Sequence, residues 1–191
     1  IRSGEVKWHT PIVVRFGIYG LMHAQTKPII RDLIGNNWPE VRRTKQCVYI
    51  VRVRGAVAIS YNTAHSPVIY IGEGDAFNRL YGHAYWISTL LLSVPNIEIE
   101  IHIAEIARKN NGKLYQYIEA DMIKWFFDNF ECLPWFNKQR EKSKEDRYSY
   151  QPDARRLLKK HIGLGSGNKF RWAIRPLANN DQYKSYSKGN M

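Results

Sequence analysis

The chain predicts a mixed α/β fold with the element order β-β-α-β-α, and three features of its hydrophobic pattern carry that expectation. Two apolar, β-branched runs, Cys47–Arg54 and Val68–Gly72, stand close together and have the composition of strands. Asn96–Ala104 reads NIEIEIHIA, an alternation that puts Ile97, Ile99, Ile101 and Ile103 on one face. Around it, Asp75–Leu92 and Lys113–Phe130 repeat apolar residues at helical spacing.

Taken in order, residues 1–45 are mixed in character. Ile12–Phe16 has the content of a short strand and Lys27–Ile34 that of a helical turn, before Asn36, Asn37 and Pro39 break the chain. Arg42, Arg43 and Lys45 lead into the strand at Cys47–Arg54. Ala56–Thr63 reads as a hairpin excursion and Asn62–Pro67 as a loop ahead of Val68–Gly72. In the first helix Phe77, Leu80, Tyr81, Ala84 and Ile87 recur at helical steps, Asp75 is placed to cap the start, and Pro95 ends the element. Asn110, Asn111 and Gly112 make a turn, after which Leu114, Tyr117, Ile118, Met122 and Phe126 are the packing positions of the second helix. Glu141–Arg147 is a mixed charge run suited to solvent, and Asp153–His161 reads as a short basic helix. Gly163–Lys169 lacks the Lys-Ser/Thr ending of a phosphate loop and reads as a flexible connection. The expected organisation is an N-terminal arm over residues 1–45, a core over 46–139 and a basic extension over 140–191.

With 191 residues the chain is long enough to bury a core. Its 29 Lys and Arg against 17 Asp and Glu give a net charge of +12, which favours polyanionic partners because neutralised phosphates release counterions. The stretch from Lys138 to Met191 holds 14 of the basic and 5 of the acidic residues, most of the excess. Tyr148, Tyr150, Phe170, Trp172, Tyr183 and Tyr186 interleave with those cations, a composition able to follow a backbone and pack on bases. The candidate nucleic-acid contacts are Arg42, Arg43, Lys45, Lys138, Arg140, Arg155, Arg156, Lys159, Lys160, Lys169 and Arg171. Cys47 and Cys132 lie far apart with no metal-binding spacing, so neither a zinc site nor a disulfide framework is expected, and Cys47 reads as a buried small hydrophobe. No run has the length of a membrane span. No membrane partner is expected, and the compartment expected is reducing and intracellular, cytoplasmic or nucleoid-associated.

Within the core stretch, a small set of side chains has the chemistry to handle a phosphodiester. Tyr49 and Tyr70 sit on the two apolar runs, Arg79 and His83 are four apart and share a helical face, and Glu119 lies on the second helix. An arginine clamps anions, a histidine accepts protons, and a carboxylate binds a hard metal. Singly, each residue has a plainer reading. Strand tyrosines serve as core, Arg79 can snorkel, His83 can pack beside Tyr85 and Trp86, Glu119 is a good helix former, and Asn137 can shape a loop. In this order and on these elements, however, the set resembles the GIY-YIG nucleases, whose two signature strands each carry a tyrosine. Tyr70-Ile71-Gly72 matches the second signature, while Cys47-Val48-Tyr49 stands where Gly-Ile-Tyr is usual. A literal Gly17-Ile18-Tyr19 lies too far from Tyr70 for a simple hairpin. Ile118-Glu119-Ala120 supplies the expected glutamate, and Asn137 the expected asparagine after a proline, Pro134. The resemblance covers residues 46–139, about half the chain.

The resemblance implies a three-stranded, mainly antiparallel sheet flanked by helices. It also implies a phosphodiester hydrolase with one Mg²⁺ or Mn²⁺ held by Glu119, relieving charge on the phosphoryl and leaving oxygens. It assigns Arg79 to the phosphate oxygens, Tyr70 to a phosphate oxygen or water, and Asn137 to positioning Glu119 or the phosphate. The base is either Tyr49 or His83, with His83 able to accept the Tyr49 proton; a phenol with a pKa of about 10 serves as base only with cations nearby. Two departures from the family pattern stand out. Glu73 occupies a position where Lys or Gln is common and sets a negative charge beside the phosphate site. The Tyr49–Tyr70 spacing leaves room for an insertion, Gly55–Pro67, that could contact DNA.

The expected function is a DNA endonuclease of restriction or phage-defence type, acting on double-stranded DNA. A homing endonuclease is the near alternative, although neither a long linker nor a zinc motif is visible. An RNA-directed nuclease or toxin shares the same phosphate chemistry. From other classes, a catalytically silent nucleic-acid-binding domain has no need of a metal carboxylate, and a structural protein assembled through its basic tail has no salt-sensitive affinity for nucleic acid. One active site cuts one strand, so double-strand cleavage implies a homodimer on DNA or sequential nicking.

Overall fold

The computed structural model describes residues 1–15, 45–55, 57–94, 97–107, 111–139, 148–163 and 172–175, with positions 28, 32, 36 and 143 singly. The strands are β1 (Val6–Trp8), β2 (Ile12–Arg15), β3 (Cys47–Arg54), β4 (Val57–Ser60), β5 (His65–Ser66), β6 (Val68–Gly74), β7 (Glu98–Ile106) and β8 (Trp172–Ile174). The helices are α1 (Ala76–Ser93), α2 (Leu114–Phe130) and α3 (Pro152–His161). The class is mixed α and β, as the pattern predicts. The main sheet places β3 between β6 and β7, antiparallel to both.

A three-stranded sheet is not what forms; the main sheet has five strands. The outer edge of β7 would otherwise present unpaired backbone groups. β1 pairs with it from Val6↔Ile106 to Trp8↔Ala104, and β2 from Ile12↔Ile101 to Arg15↔Glu98. Between them His9, Thr10 and Pro11 face only His102 and Ile103, a one-residue excess that accommodates a proline unable to donate. Within the stretch read from sequence as an arm, Ile12–Arg15 is the short strand expected at Ile12–Phe16, and Val6–Trp8 is a further strand of the main sheet. Three residues, Val6–Trp8, are too few to show a period of their own. The turn expected at Lys27–Ile34 and the break at Asn36–Pro39 lie outside the continuously described residues.

Residues directly opposite in an antiparallel pair share a face. Tyr49, Val51, Tyr70, Gly72, Ile101 and Ile103 thus lie on one side of the sheet, and Ile50, Arg52, Ile71, Glu100 and His102 on the other. α1 covers the first side. Asp75 caps it, accepting from Asn78 N–H at 3.1 Å, and the helix buries Leu80, Ala84, Ile87 and Leu91. α2 buries Ile118, Met122 and Phe126 and packs against β6 and β3. α3 reaches the second side, where His161 stacks on Trp8 with ring centres 3.6 Å apart.

The insertion between β3 and β6 is folded. β4 pairs antiparallel with β5 and parallel with β8, making a second sheet of three strands that sequence reading did not anticipate. Tyr61 donates its hydroxyl to Val68 O at 2.5 Å, while Asn62 and Thr63 donate to Glu131 O and Asn129 O at the end of α2. Part of the basic extension also folds back. Buried Asp121 accepts from Tyr150 at 2.6 Å and Ser143 at 2.5 Å, and Tyr148 stacks on Tyr117. Those two tyrosines pack against the core; Phe170, Tyr183 and Tyr186 lie outside the described residues. Among the described residues no helix is long and apolar enough to cross a membrane.

Candidate active site

The site is built where β3, β6 and α1 meet. Tyr49 on β3 faces Gly72 on β6 across the ladder, and Tyr70 stands beside them on the same face, with its ring centre 5.9 Å from that of Tyr49. Gly72 is required sterically. A Cβ there would lie 2.5 Å from Tyr70 Cε1 and 2.6 Å from both Cζ and the hydroxyl of Tyr49. Only the missing side chain lets both rings converge.

Arg79 and His83 project from one face of α1 toward the tyrosines. The Tyr49 hydroxyl lies 3.0 Å from His83 Nε2, and Tyr70 and Arg79 act on it electrostatically. In the tautomer that leaves Nε2 bare, the Tyr49 phenol donates its proton to His83. Tyr49 is fully buried, Tyr70 and His83 are half-buried and Arg79 is exposed, so the series runs from core to solvent.

Electrostatics sort these groups. Burial, then Tyr70, push the Tyr49 phenol far above its ordinary value against the opposing pull of Arg79. Burial also raises Tyr70, with Glu119 and Glu73 adding to the effect and Tyr49 and Arg79 opposing it. His83 is pushed down to about 4, by burial first and by Arg79 second, and is neutral at physiological pH. Burial weighs against the Arg79 charge, but Tyr49, Tyr70 and Glu73 outweigh it and hold the guanidinium protonated. Glu73, the departure noted in the sequence, therefore reaches both Tyr70 and Arg79.

Glu119 on α2 is only 8% exposed, and its carboxylate acts on both tyrosines. Among the described residues no group of three or more His, Cys, Asp or Glu is arranged to hold a metal. One buried carboxylate beside phenolic oxygens suits a hard cation that keeps most of its waters and takes further oxygens from a substrate. The donor set thus fits Mg²⁺ or Mn²⁺ rather than a closed zinc cage.

Asn137 has a different neighbourhood. Its amide accepts from Ile71 N–H at 3.0 Å and donates to Ile71 O at 2.7 Å, copying a strand partner along the open edge of β6. Phe136 N–H continues that pairing to Ile69 O. Phe136 in turn stacks on Trp86, with ring centres 4.3 Å apart and planes at 16°, and Trp86 lies 5.5 Å from the His83 ring. Trp86 and Phe136 were missed in the sequence reading. Trp86 stands one turn beyond His83 and Phe136 directly before Asn137, and that spacing was the available signal.

Of the proposed nucleic-acid contacts, Lys45, Lys138, Arg155, Arg156 and Lys160 are exposed and Lys159 is half-buried. Arg155 and Lys159 come together over the Trp125 ring at 5.3 and 5.6 Å. Arg42, Arg43, Arg140, Lys169 and Arg171 lie outside the described residues. No family model, curated protein or solved structure matches the chain.

Proposed function

We propose that this protein is a metal-dependent endonuclease of the GIY-YIG type that hydrolyses phosphodiester bonds in double-stranded DNA. The observation that carries this reading is the grouping of Tyr70, His83, Arg79 and Glu119 about Tyr49, whose ring packs with that of Tyr70 over the bare α-carbon of Gly72. Arg79, exposed and firmly protonated, offers a planar fork to phosphate oxygens. Tyr70 is half-buried at the site, its ring beside that of Tyr49, whose hydroxyl meets His83. A proton released from an attacking water passes to Tyr70, Tyr70 gives its own to Tyr49, and Tyr49 gives its own to His83 Nε2. Neutral His83 is the acceptor because burial keeps both phenols from ionising. Bound at Glu119, Mg²⁺ or Mn²⁺ would supply Lewis-acid relief of charge on the phosphoryl and leaving oxygens. Asn137 acts by pinning β6, so that Gly72 and Tyr70 keep their places. A restriction or phage-defence role, with two copies acting on opposite strands, accords with the charge of +12.

The test is cleavage of long duplex DNA in Mg²⁺ or Mn²⁺ by the native chain and by Glu119→Ala. Discrete fragments from the native chain alone are the expected result. Equal cutting by both would remove Glu119 from the reaction. Chelator-sensitive cutting of RNA but not DNA would move the reading to an RNA-directed nuclease.

A further inference from the structure

α1 presents two functional sides. At 100° per residue, Arg79, His83 and Trp86 fall on the flank that meets the tyrosines, while Leu80, Ala84, Ile87 and Leu91 face the core. The remaining outward stripe is Asn78, Gly82, Tyr85 and Thr89, with Tyr81 at its margin, and all five are exposed. Tyr85 is 64% exposed and Tyr81 39%, one helical turn apart. Between them, a Cβ at Gly82 would meet nothing within 4 Å, so the backbone is open to close approach. Apart from Arg79 and His83, the helix contains no Lys, Arg, His, Asp or Glu.

We propose that this face carries a single-stranded stretch of the polynucleotide whose scissile phosphate lies at Arg79, with its unstacked bases resting on Tyr81 and Tyr85. The inference rests on the nuclease reading of the same site and names its substrate more closely: duplex DNA in which the strand carried onto this face is unpaired beside the cut. The stripe adjoins Arg79 and His83 on the same helix, so a strand anchored at the guanidinium runs directly onto it. Gly82 admits the sugar–phosphate chain, and the two rings offer stacking surfaces to whichever base follows. An intact duplex gains little here. Its bases are already stacked, and the stripe adds no cation for its phosphates.

The test measures binding of fluorescein-labelled DNA by anisotropy in chelator, and cleavage in Mg²⁺, using the full chain. The probes are a blunt duplex and the same duplex with a single-stranded extension. The native chain is expected to prefer the extended duplex. Tyr81→Ala/Tyr85→Ala is expected to lose about tenfold or more in affinity for it, while changing by less than about twofold on the blunt duplex. Tyr81→Phe/Tyr85→Phe, which keeps both rings, should bind as the native chain does. An unchanged affinity in the alanine pair overturns the proposal, as does an equal loss on both probes. So does a change of oligomeric state in sedimentation, which would make the stripe a contact between copies. A native chain that cuts both probes equally, with or without the tyrosines, sinks only the stacking inference. A native chain that neither binds nor cuts any nucleic acid sinks the nuclease reading itself.

Discussion

Tyr49 and Gly72 are direct cross-strand partners, and the Tyr49 hydroxyl occupies the space a side chain at position 72 would need, 2.6 Å from an ideal Cβ. The ring cannot retreat, because it is fully buried and its hydroxyl is tied to His83 at 3.0 Å. Gly72→Ala is therefore expected to push Tyr49 away from His83, at a cost of about 1–3 kcal/mol of stability for overpacking. Thermal unfolding together with DNA cleavage checks this. Native stability and native activity in Gly72→Ala would show that the tyrosine has room to move.

The identity of the base is open to a pH–rate profile. His83 is held at about 4, so if it accepts the proton, kcat/KM rises with pH through that region and is flat across neutrality. If Tyr49 itself must ionise, activity instead climbs into the alkaline range, since burial raises that phenol. Tyr49→Phe and His83→Ala should each reduce kcat by about 10²–10⁴-fold, the usual worth of a positioned acid or base.

The local periodicities were strong enough to place β3, α1, α2 and α3, and the Asp75 cap, within two residues of where they lie. The five-stranded sheet was not legible, because β1 is three residues long and its place depends on the open edge of β7, a tertiary condition. β8 was hidden for the same reason, since a three-residue strand pairs with β4 across more than 100 positions of chain. In the site, Tyr49, Tyr70, Arg79, His83 and Glu119 could be read as an ordered set. The hydrogen bonds of Asn137 to Ile71 could not, because an asparagine in a loop has no periodic partner.

Asn137→Ala removes both side-chain partners of Ile71 N–H and C=O, in a place where Asn137 is only 6% exposed. Leaving those groups unpaired should cost about 1–3 kcal/mol. Asn137→Asp should also destabilise, since a carboxylate keeps the acceptor for Ile71 N–H but faces Ile71 O without a donor. Urea unfolding of both variants measures this. If Asn137 contacts substrate instead, the variants will raise KM with unfolding midpoints unchanged.

The face of the sheet remote from the site predicts acid sensitivity. The Glu100 carboxylate lies 3.2 Å from His102 Nε2, and His102 Nδ1 lies 3.3 Å from His161 Nδ1. With the Nε2 proton given to Glu100, His102 Nδ1 is left to accept from His161, and both rings are neutral. Burial first and then Arg52 lower His102, although Glu100 opposes them. Burial, followed by His102, Arg52 and Lys160, pushes His161 down to about 3. A folded value below the unfolded one means the unfolded chain binds more protons between them. The stability these histidines contribute is thus complete above about pH 6.5 and falls as the pH drops from there toward 3, by up to about 1.4 kcal/mol per pH unit per site. Denaturation midpoints between pH 4 and 8 should follow that slope. His161→Phe keeps a ring on Trp8 but cannot titrate, so its slope should be shallower; a slope unchanged by the substitution would place the acid sensitivity elsewhere.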